Sequence, residues 1–398
     1  MPQVNPDILR WARETAGLGA AEAAHKIGLN AAYGLDPVDR LHQLETGEKQ
    51  PSEAQLAKMA SQYRRPLLTF YLPEPPRKDE VGEDFRTLPE KSEPGNTNLQ
   101  VLLRQVRARQ RLARELLEDE EDSEQFAHLG AASSKDSVRG LATKIVKAIN
   151  FDLEQFRGQR TIEDAFAYLR TRTEDAGVYV LLAGDLGSWQ TAISVDVFRG
   201  FALTDDLAPF VVINDQDAKS AWAFTLLHEL CHLWLGQSAI SGSSNEIAIE
   251  KFCNDVASEI LIPADELTAF VSKTPSEVLT SELITSFAAA RNISRSMVAY
   301  RLHLEDGISY AEWIELKDQF HAEWLAMKSR LKADSRRRDG GPNWYIVRRH
   351  RIGDGLLQIV RRAMSEGSLT PSRAARVLGV KPMNVYPLVF GDPGAKVA

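Results

Sequence analysis

The chain has 398 residues, a net charge of −7, and 43% apolar and 26% charged side chains, the proportions of a water-soluble globular protein. Such a length exceeds what one hydrophobic core organises and implies two or three domains. No run approaches 18 apolar residues, charges at Asp7, Arg10, Arg13 and Glu14 interrupt any signal-peptide core, and Cys231 and Cys253 alone cannot build a disulfide framework; a cytoplasmic location without membrane contact is the expectation.

Residues 1–73 read as a compact helical module. "PDILRWARETAG" sets Ile8, Trp11, Ala12 and Thr15 at helical spacing before Gly17, and "AAEAAHKIG" repeats the device with Ala20, Ala23, Ala24 and Ile27 before Gly28. In "DPVDRLHQLETGEKQPS" Asp36 is placed to cap and Pro37 to occupy the first helical position. The run "LETGEKQPS" followed by "EAQLAKMASQY" resembles the end of the recognition helix and the fourth helix of the XRE-type helix-turn-helix fold. The stretch from Gly28 to Glu45 is longer than that pattern, and the module holds eight basic and eight acidic side chains, so no cationic excess marks it for phosphates.

The Pro-rich, polar stretch 74–98 reads as a linker. Helical periodicity resumes from Leu99 to about Glu121, with Arg104, Arg107, Arg109 and Arg111 on a solvated face, and a second helix is expected over Ser137–Asn150. "TIEDAFAYLRTRTEDAG" is an amphipathic helix with Ile162, Phe166 and Leu169 inward. The runs "VYVLL", "TAISVDV", "GFAL" and "PFVVIN" then read as short strands of a small sheet.

After the sheet comes "FTLLHELCHLWLG", Phe224 to Gly236. Residues four apart on a helix share one face, so His228 and His232 can offer their imidazoles to one metal ion. Glu229 lies roughly 100° further round the axis, where it can reach a water on that metal without binding the metal itself. This H-E-x-x-H arrangement suits a hydrolytic Zn2+ site with a third protein ligand and an open position. Two histidines and a glutamate among Phe224, Leu226, Leu227, Leu230, Leu233 and Leu235 would be costly to bury without such a partner. The third ligand should come from "NEIAIEKFCNDVASEILIP": Glu250 is preferred, ahead of the apolar stripe Phe252, Val256 and Ile260, and Glu246 is the main competitor.

Together, "FTLLHELCHLWLG" and "EKFCNDVASEILIP" resemble the ImmA/IrrE family of zinc-dependent peptidases, with "GFALTDDLAPFVVIN" and "DFRTLP" as further landmarks. The resemblance implies an α+β, mainly helical chain with a zincin-like, gluzincin-type peptidase domain over 99–310, closed by a winged-helix-like end in "LITSFAAARNISRSMVAYRLHLEDGI". It makes His228, His232 and Glu250 the metal ligands and Glu229 the general base. Cys253 and Val256 stand where the family carries alanine and phenylalanine, and Cys231 brings a thiol near the metal; the two thiols read either as small core side chains or as a redox gate. No oxyanion-stabilising residue is identifiable, and Tyr300, His303 and Tyr310 are the candidates.

Residues 311–398 read as a basic helical extension. From Lys328 onward fifteen Lys or Arg face five Asp or Glu, a local charge of +10 on a body of −17. "SLTPSRAARVLGVKPMNVYPL" has the cap, helix, Gly turn and helix rhythm of a small module with its arginines outward. The family implies a zinc endopeptidase cleaving a protein substrate, a repressor or toxin–antitoxin partner, in stress response or mobile-element control. The alternative is a DNA-binding transcriptional regulator or antitoxin with a sensing or structural metal site. DNA would be met through the N-terminal module or the basic tail, and a homodimer is left open.

Overall fold

The computed structural model describes residues 4–72 except 17, 33, 64 and 66, then 74, 94–119, 124–236, 244–273, 280–335 and 343–391. The landmark "DFRTLP" and nearly all of the expected linker lie outside the described residues. Two compact units are present: Met1–Arg104 with Leu186–Thr191, and Gln105–Asp185 with Ala192–Ala398.

The first unit contains α1 (Pro6–Thr15), α2 (Ala20–Ile27), α3 (Pro37–Glu45) and α4 (Glu53–Gln62), followed by a 3-10 turn at Leu67–Tyr71. Each start is chemically marked. Asn5, Asp36 and Ser52 accept from the first free N–H groups of α1, α3 and α4, and Ser52 with Gln55 completes a capping box. Gly28 ends α2 in the left-handed region at φ 75°. Ile8, Leu9, Ala12, Ala24, Ile27, Leu41, Met59 and Phe70 form one core. Glu45, on α3, is buried against Arg13 at 2.6 Å, and that hydrogen bond is the main cause that raises the Arg13 guanidinium's pKa. The described helices follow the sequence reading of this segment closely.

Next is α5 (Pro94–Glu118), which begins inside the stretch expected to be linker and ends before Glu121. Proline is well suited to a first helical turn, so Pro94 starts the helix where a linker was expected. Then come α6 (Val138–Ala148), capped by Ser137; α7 (Leu153–Arg157); and α8 (Ile162–Asp175), capped by Thr161. The sheet consists of β1 (Tyr179–Leu182), β2 (Gly200–Leu203) and β3 (Phe210–Ile213) in the order β1-β3-β2, β1 parallel and β2 antiparallel to β3. "TAISVDV" was expected as a further strand and is instead a 3-10 turn and bends. The Asn214 amide donates to Ile193 O and Phe198 O, and Val197 N–H to Ser194 O, so the run folds back on itself and has no ladder to join.

The second unit continues with α9 (Lys219–Trp234), α10 (Ser244–Leu261), α11 (Ala264–Lys273), α12 (Ser281–Ala289), α13 (Arg295–Leu304) and α14 (Tyr310–Ser335). Among the described residues no strand accompanies α12 and α13, and Ser294 stands at the N-cap position of α13 without a capping bond. The chain closes with α15 (Trp344–Ile352), α16 (Asp354–Ser365), α17 (Pro371–Leu378) and α18 (Val385–Val389). The fold is therefore α+β and mainly helical. Among the described residues no helix is long and apolar enough to cross a membrane.

The terminal helices are seated on β1 and α8. Arg170 and Glu174, nearly buried, form an ion pair at 3.1 Å; Arg170 also donates to Val180 O and His350 O, and Glu174 accepts from Gly355 N–H. Burial raises the pKa of Glu174, against the pull of Arg170 and that N–H. Arg351 adds ion pairs to Asp185 at 2.9 Å and Asp215 at 2.7 Å. Arg373 and Arg376 of the small module lie outward as expected, both exposed, while arginines ahead of it are engaged with carbonyls: Arg348 donates to Leu378 O and Gly379 O, Arg349 to Pro387 O and Gly391 O, Arg361 to Val389 O. Arg109 departs from the solvated face expected of it, because its guanidinium lies against Gly379, and desolvation with Arg348 nearby lowers its pKa to about 9. Helix-end carbonyls attract guanidinium groups, which is why a basic segment packs inward here.

Candidate metal centre

Apolar side chains surround α9 on every side, which makes it a core helix rather than a surface one. Leu226, Leu227, Leu230, Cys231, Leu233 and Trp234 are all buried, and α10 packs along α9 through a core that includes Cys253, Val256 and Ala257. These two helices fix the site. His228 and His232 are one turn apart with their Nε2 atoms 3.1 Å from each other. From α10, Glu250 brings Oε2 to 3.2 Å of His228 Nε2 and Oε1 to 3.2 Å of His232 Nε2. Three donor groups thus meet in a triangle whose potential ligand atoms lie within 4.8 Å of one another.

A tetrahedral ion with bonds of about 2.0–2.1 Å separates its donors by about 3.3–3.4 Å, close to the spacing seen here. His232 is almost wholly buried and His228 nearly so, while Glu250 keeps about a third of its side chain exposed, so the triangle opens to solvent on one side. The charges also fit a cation. Burial opposes a proton on His228, yet the hydrogen bond it donates to Glu250, the charges of Glu229 and Glu250, and Asn254 together hold its pKa above the ordinary value. The residues present suit a divalent ion of the kind that imidazole and carboxylate bind.

Glu229 is 5% exposed, and desolvation raises its pKa against the pull of His228, His232 and the Ala202 N–H. Its Oε2 is buried without a hydrogen-bond partner. The other oxygen is pressed against β2: a Cβ on Gly200 would stand 2.9 Å from Oε1 and 2.6 Å from Thr225 Cγ2. The carboxyl is thus held between an outer strand and its own helix with one oxygen uncommitted.

Residues 176–303 match the family model Peptidase_M78, the IrrE N-terminal-like domain. No curated protein and no solved structure matches the chain. The Peptidase_M78 segment runs from the approach to β1 into α13, so it takes in the sheet, the H-E-x-x-H helix and the helix of Glu250. It supports the ImmA/IrrE resemblance and a metallopeptidase domain.

Of the sequence-predicted residues, the structure brings His228, Glu229, His232 and Glu250 together. The side chain of the competitor Glu246 lies outside the described residues. Tyr300, His303 and Tyr310 are gathered in an aromatic cluster: His303 stacks on Trp313 at 5.3 Å, and Tyr300 and Tyr310 meet the same indole. His303 Nδ1 also lies 3.3 Å from Ile308 O, and Tyr300 feels the charge of Asp255 on α10. Cys231 and Cys253 are wholly buried free thiols hydrogen-bonded to one another, which, with burial, pushes the Cys253 thiol far up. The Cys253 thiol stays protonated, and both side chains pack as small members of the core.

Sequence reading missed three contributors: Gly200, Ala202 and Asn254. Gly200 opens the run "GFAL", where a strand-start glycine reads as punctuation. The signal available was a glycine at the edge of a β-run next to a motif helix, a place where close backbone approach is one of the few reasons for glycine.

Proposed function

We propose that the chain is a zinc-dependent endopeptidase that cleaves a regulatory protein, a repressor or toxin–antitoxin partner, in stress response or mobile-element control. The observation that carries this reading is the pairing of a three-donor triangle with a buried carboxyl group whose free oxygen has no structural partner. A site that merely stabilised the fold would have no use for Glu229, whose burial costs free energy.

His228, His232 and Glu250 would hold the ion in the triangle, and its charge would offset the repulsion between the carboxylates of Glu250 and Glu229. When bound, the ion polarises the scissile carbonyl and makes water nucleophilic near neutral pH. The remaining work belongs to Glu229. Its raised pKa brings it towards the operating pH, so it can accept a proton from the attacking water and return it to the leaving amine. Gly200 and Ala202 keep the carboxyl group in one orientation through both transfers. In this reading the N-terminal helices are the XRE-type element through which such a regulator reaches DNA, in the cytoplasm.

Glu229→Gln is the decisive variant. It keeps the shape of the side chain and removes its basicity, so zinc stoichiometry by elemental analysis should be unchanged while cleavage of proteins encoded beside it disappears. If the variant cleaves as fast as the parent, or neither cleaves while DNA-dependent regulation persists in both, the chain is the DNA-binding regulator with a structural or sensing metal.

A further inference from the structure

The C-terminal helices carry a surface unlike the metal site. Thirteen large apolar side chains are exposed among the described residues, and five of them, Trp344, Ile346, Met383, Tyr386 and Phe390, fall within residues 343–391. Met383 is 78% exposed, Tyr386 59% and Phe390 46%, and the rings of Tyr386 and Phe390 are 5.8 Å apart. Their spacing of three and four residues sets them on one helical face. Val385, Leu388 and Val389 fill the core side of the same helix, so the exposed face is additional to the module's own packing. Asn384 meets the Tyr345 hydroxyl, and Tyr345 meets Trp344 edge-on, which brings a further exposed aromatic ring to the border of the face.

The segment α17, Gly379 and α18 has helix-turn-helix form, which usually reaches DNA through its second helix. Here the second helix has five residues and an apolar outer face. Arg348 and Arg349 of α15 and Arg361 of α16 are committed to the carbonyl groups of Leu378, Gly379, Pro387, Val389 and Gly391. Residues 367–391 contain Arg373, Arg376 and Lys381 and no Asp or Glu, with Glu366 and Asp392 on either side, and Arg373 is paired with Glu115 at 2.9 Å. Arg376 and Lys381 are exposed. A second copy would set cations against cations, and a nucleic acid would find an apolar face where it needs donors.

We propose that this face docks an acidic protein segment carrying aliphatic or aromatic anchors. The anchors cover Met383, Tyr386 and Phe390, and the carboxylates of the partner meet Lys381 and Arg376. Docking takes place away from the metal centre, since α15 rests on β1 and Glu229 on β2, the two outer strands of one sheet. The surface is independent of whether the metal centre cleaves peptides.

The test selects an unbiased peptide-display library on the full chain and counter-selects on Met383→Ser/Tyr386→Ser/Phe390→Ser, whose exposed positions should leave the thermal midpoint unchanged. The expected winners carry net negative charge and at least one Leu, Ile, Phe or Trp. A synthetic copy of the leading peptide should lose affinity by about tenfold or more on the triple variant and about fivefold on Lys381→Glu, by fluorescence anisotropy. No peptide dependent on the three side chains, or winners that are neutral or basic, overturns the proposal. It is overturned equally if the triple variant abolishes binding of short random-sequence duplex DNA, or abolishes a concentration-dependent dimer in sedimentation.

Discussion

Gly200→Ala is the sharpest probe of how the fold serves the site. The new methyl carbon would stand 2.6 Å from Thr225 Cγ2, 2.9 Å from Glu229 Oε1 and 3.1 Å from Glu229 Cγ. Carbon contacts are comfortable near 3.5–4.0 Å, so either the strand or the Glu229 side chain must yield by about 0.5–1 Å. Overpacking of this kind costs about 1–3 kcal/mol of stability, and a misplacement of about 1 Å in a catalytic group costs about a hundredfold in rate. None of the three ligand side chains is displaced directly, because the clash falls on Thr225 and Glu229. The expected outcome is one zinc per chain, a thermal midpoint lowered by a few degrees, and a single-turnover cleavage rate reduced by about 30–100-fold. Adding Thr225→Ser relieves the shorter contact but not those to Glu229, so it should restore stability and leave the rate low. Parental cleavage by the single variant with zinc retained would refute the assignment of Gly200 as a positioning residue for Glu229. Recovery of the full rate by Thr225→Ser would place the effect in the packing of α9 instead.

Glu250→Ala should drop zinc stoichiometry well below one per chain and remove the rise in thermal midpoint that added zinc produces in the parent; full occupancy in the variant would place the third ligand elsewhere. Gly353→Ala should destabilise by about 2–5 kcal/mol in urea unfolding, since Gly353 has φ 89° and a Cβ there would stand 2.2 Å from Glu174 Oε1 and 2.9 Å from Val180 O; a parental midpoint would show that α15 is not held as described. His350 has its pKa lowered, first by partial burial and then by Arg170, Lys219 and Arg351, against Asp215. A folded value below the unfolded value of about 6.5 means that its stabilising contribution is complete above that pH and is lost as pH falls through the folded value. The parent should therefore lose more thermal stability than His350→Gln between pH 7.5 and 5.5, and an equal loss would refute the linkage.

Much of this molecule was legible because its signals are local. Asp36 before Pro37, Ser52 with Gln55, Ser137 and Thr161 each announce a helix start through a side chain that meets a free N–H a few residues on. His228 and His232 are legible for the same reason, since four residues of helix fix their common face whatever else the chain does. What escaped is set by neighbours distant in sequence. "TAISVDV" has strand composition, but Asn214 claims the carbonyl of Ile193 within it and that of Phe198 just after it, and only the folded chain puts Asn214 there. Arg348 and Arg349 of the tail form a similar case. Both belong to α15, but the carbonyl ends of α17 and α18 come from other turns of the chain, and guanidinium groups fill them.

Gly200 shows why a metal motif alone underdetermines a hydrolytic site. The H-E-x-x-H pattern places two ligands and a carboxyl group on a helix, yet it leaves the carboxyl free to rotate about its own side chain. In water that freedom is worth up to about 2 kcal/mol for a Glu side chain, and catalysis requires that it be lost before the reaction rather than during it. The outer strand removes it by approaching so closely that no side chain fits at Gly200, while Ala202 N–H takes one position on the carboxylate. The Glu229 carboxyl group is thus oriented by an absence, a missing Cβ on a strand separated from the motif by nearly thirty residues of chain. Residue types chosen for what they contribute are visible in a sequence; those chosen for what they leave out become visible only when the opposing surface is known.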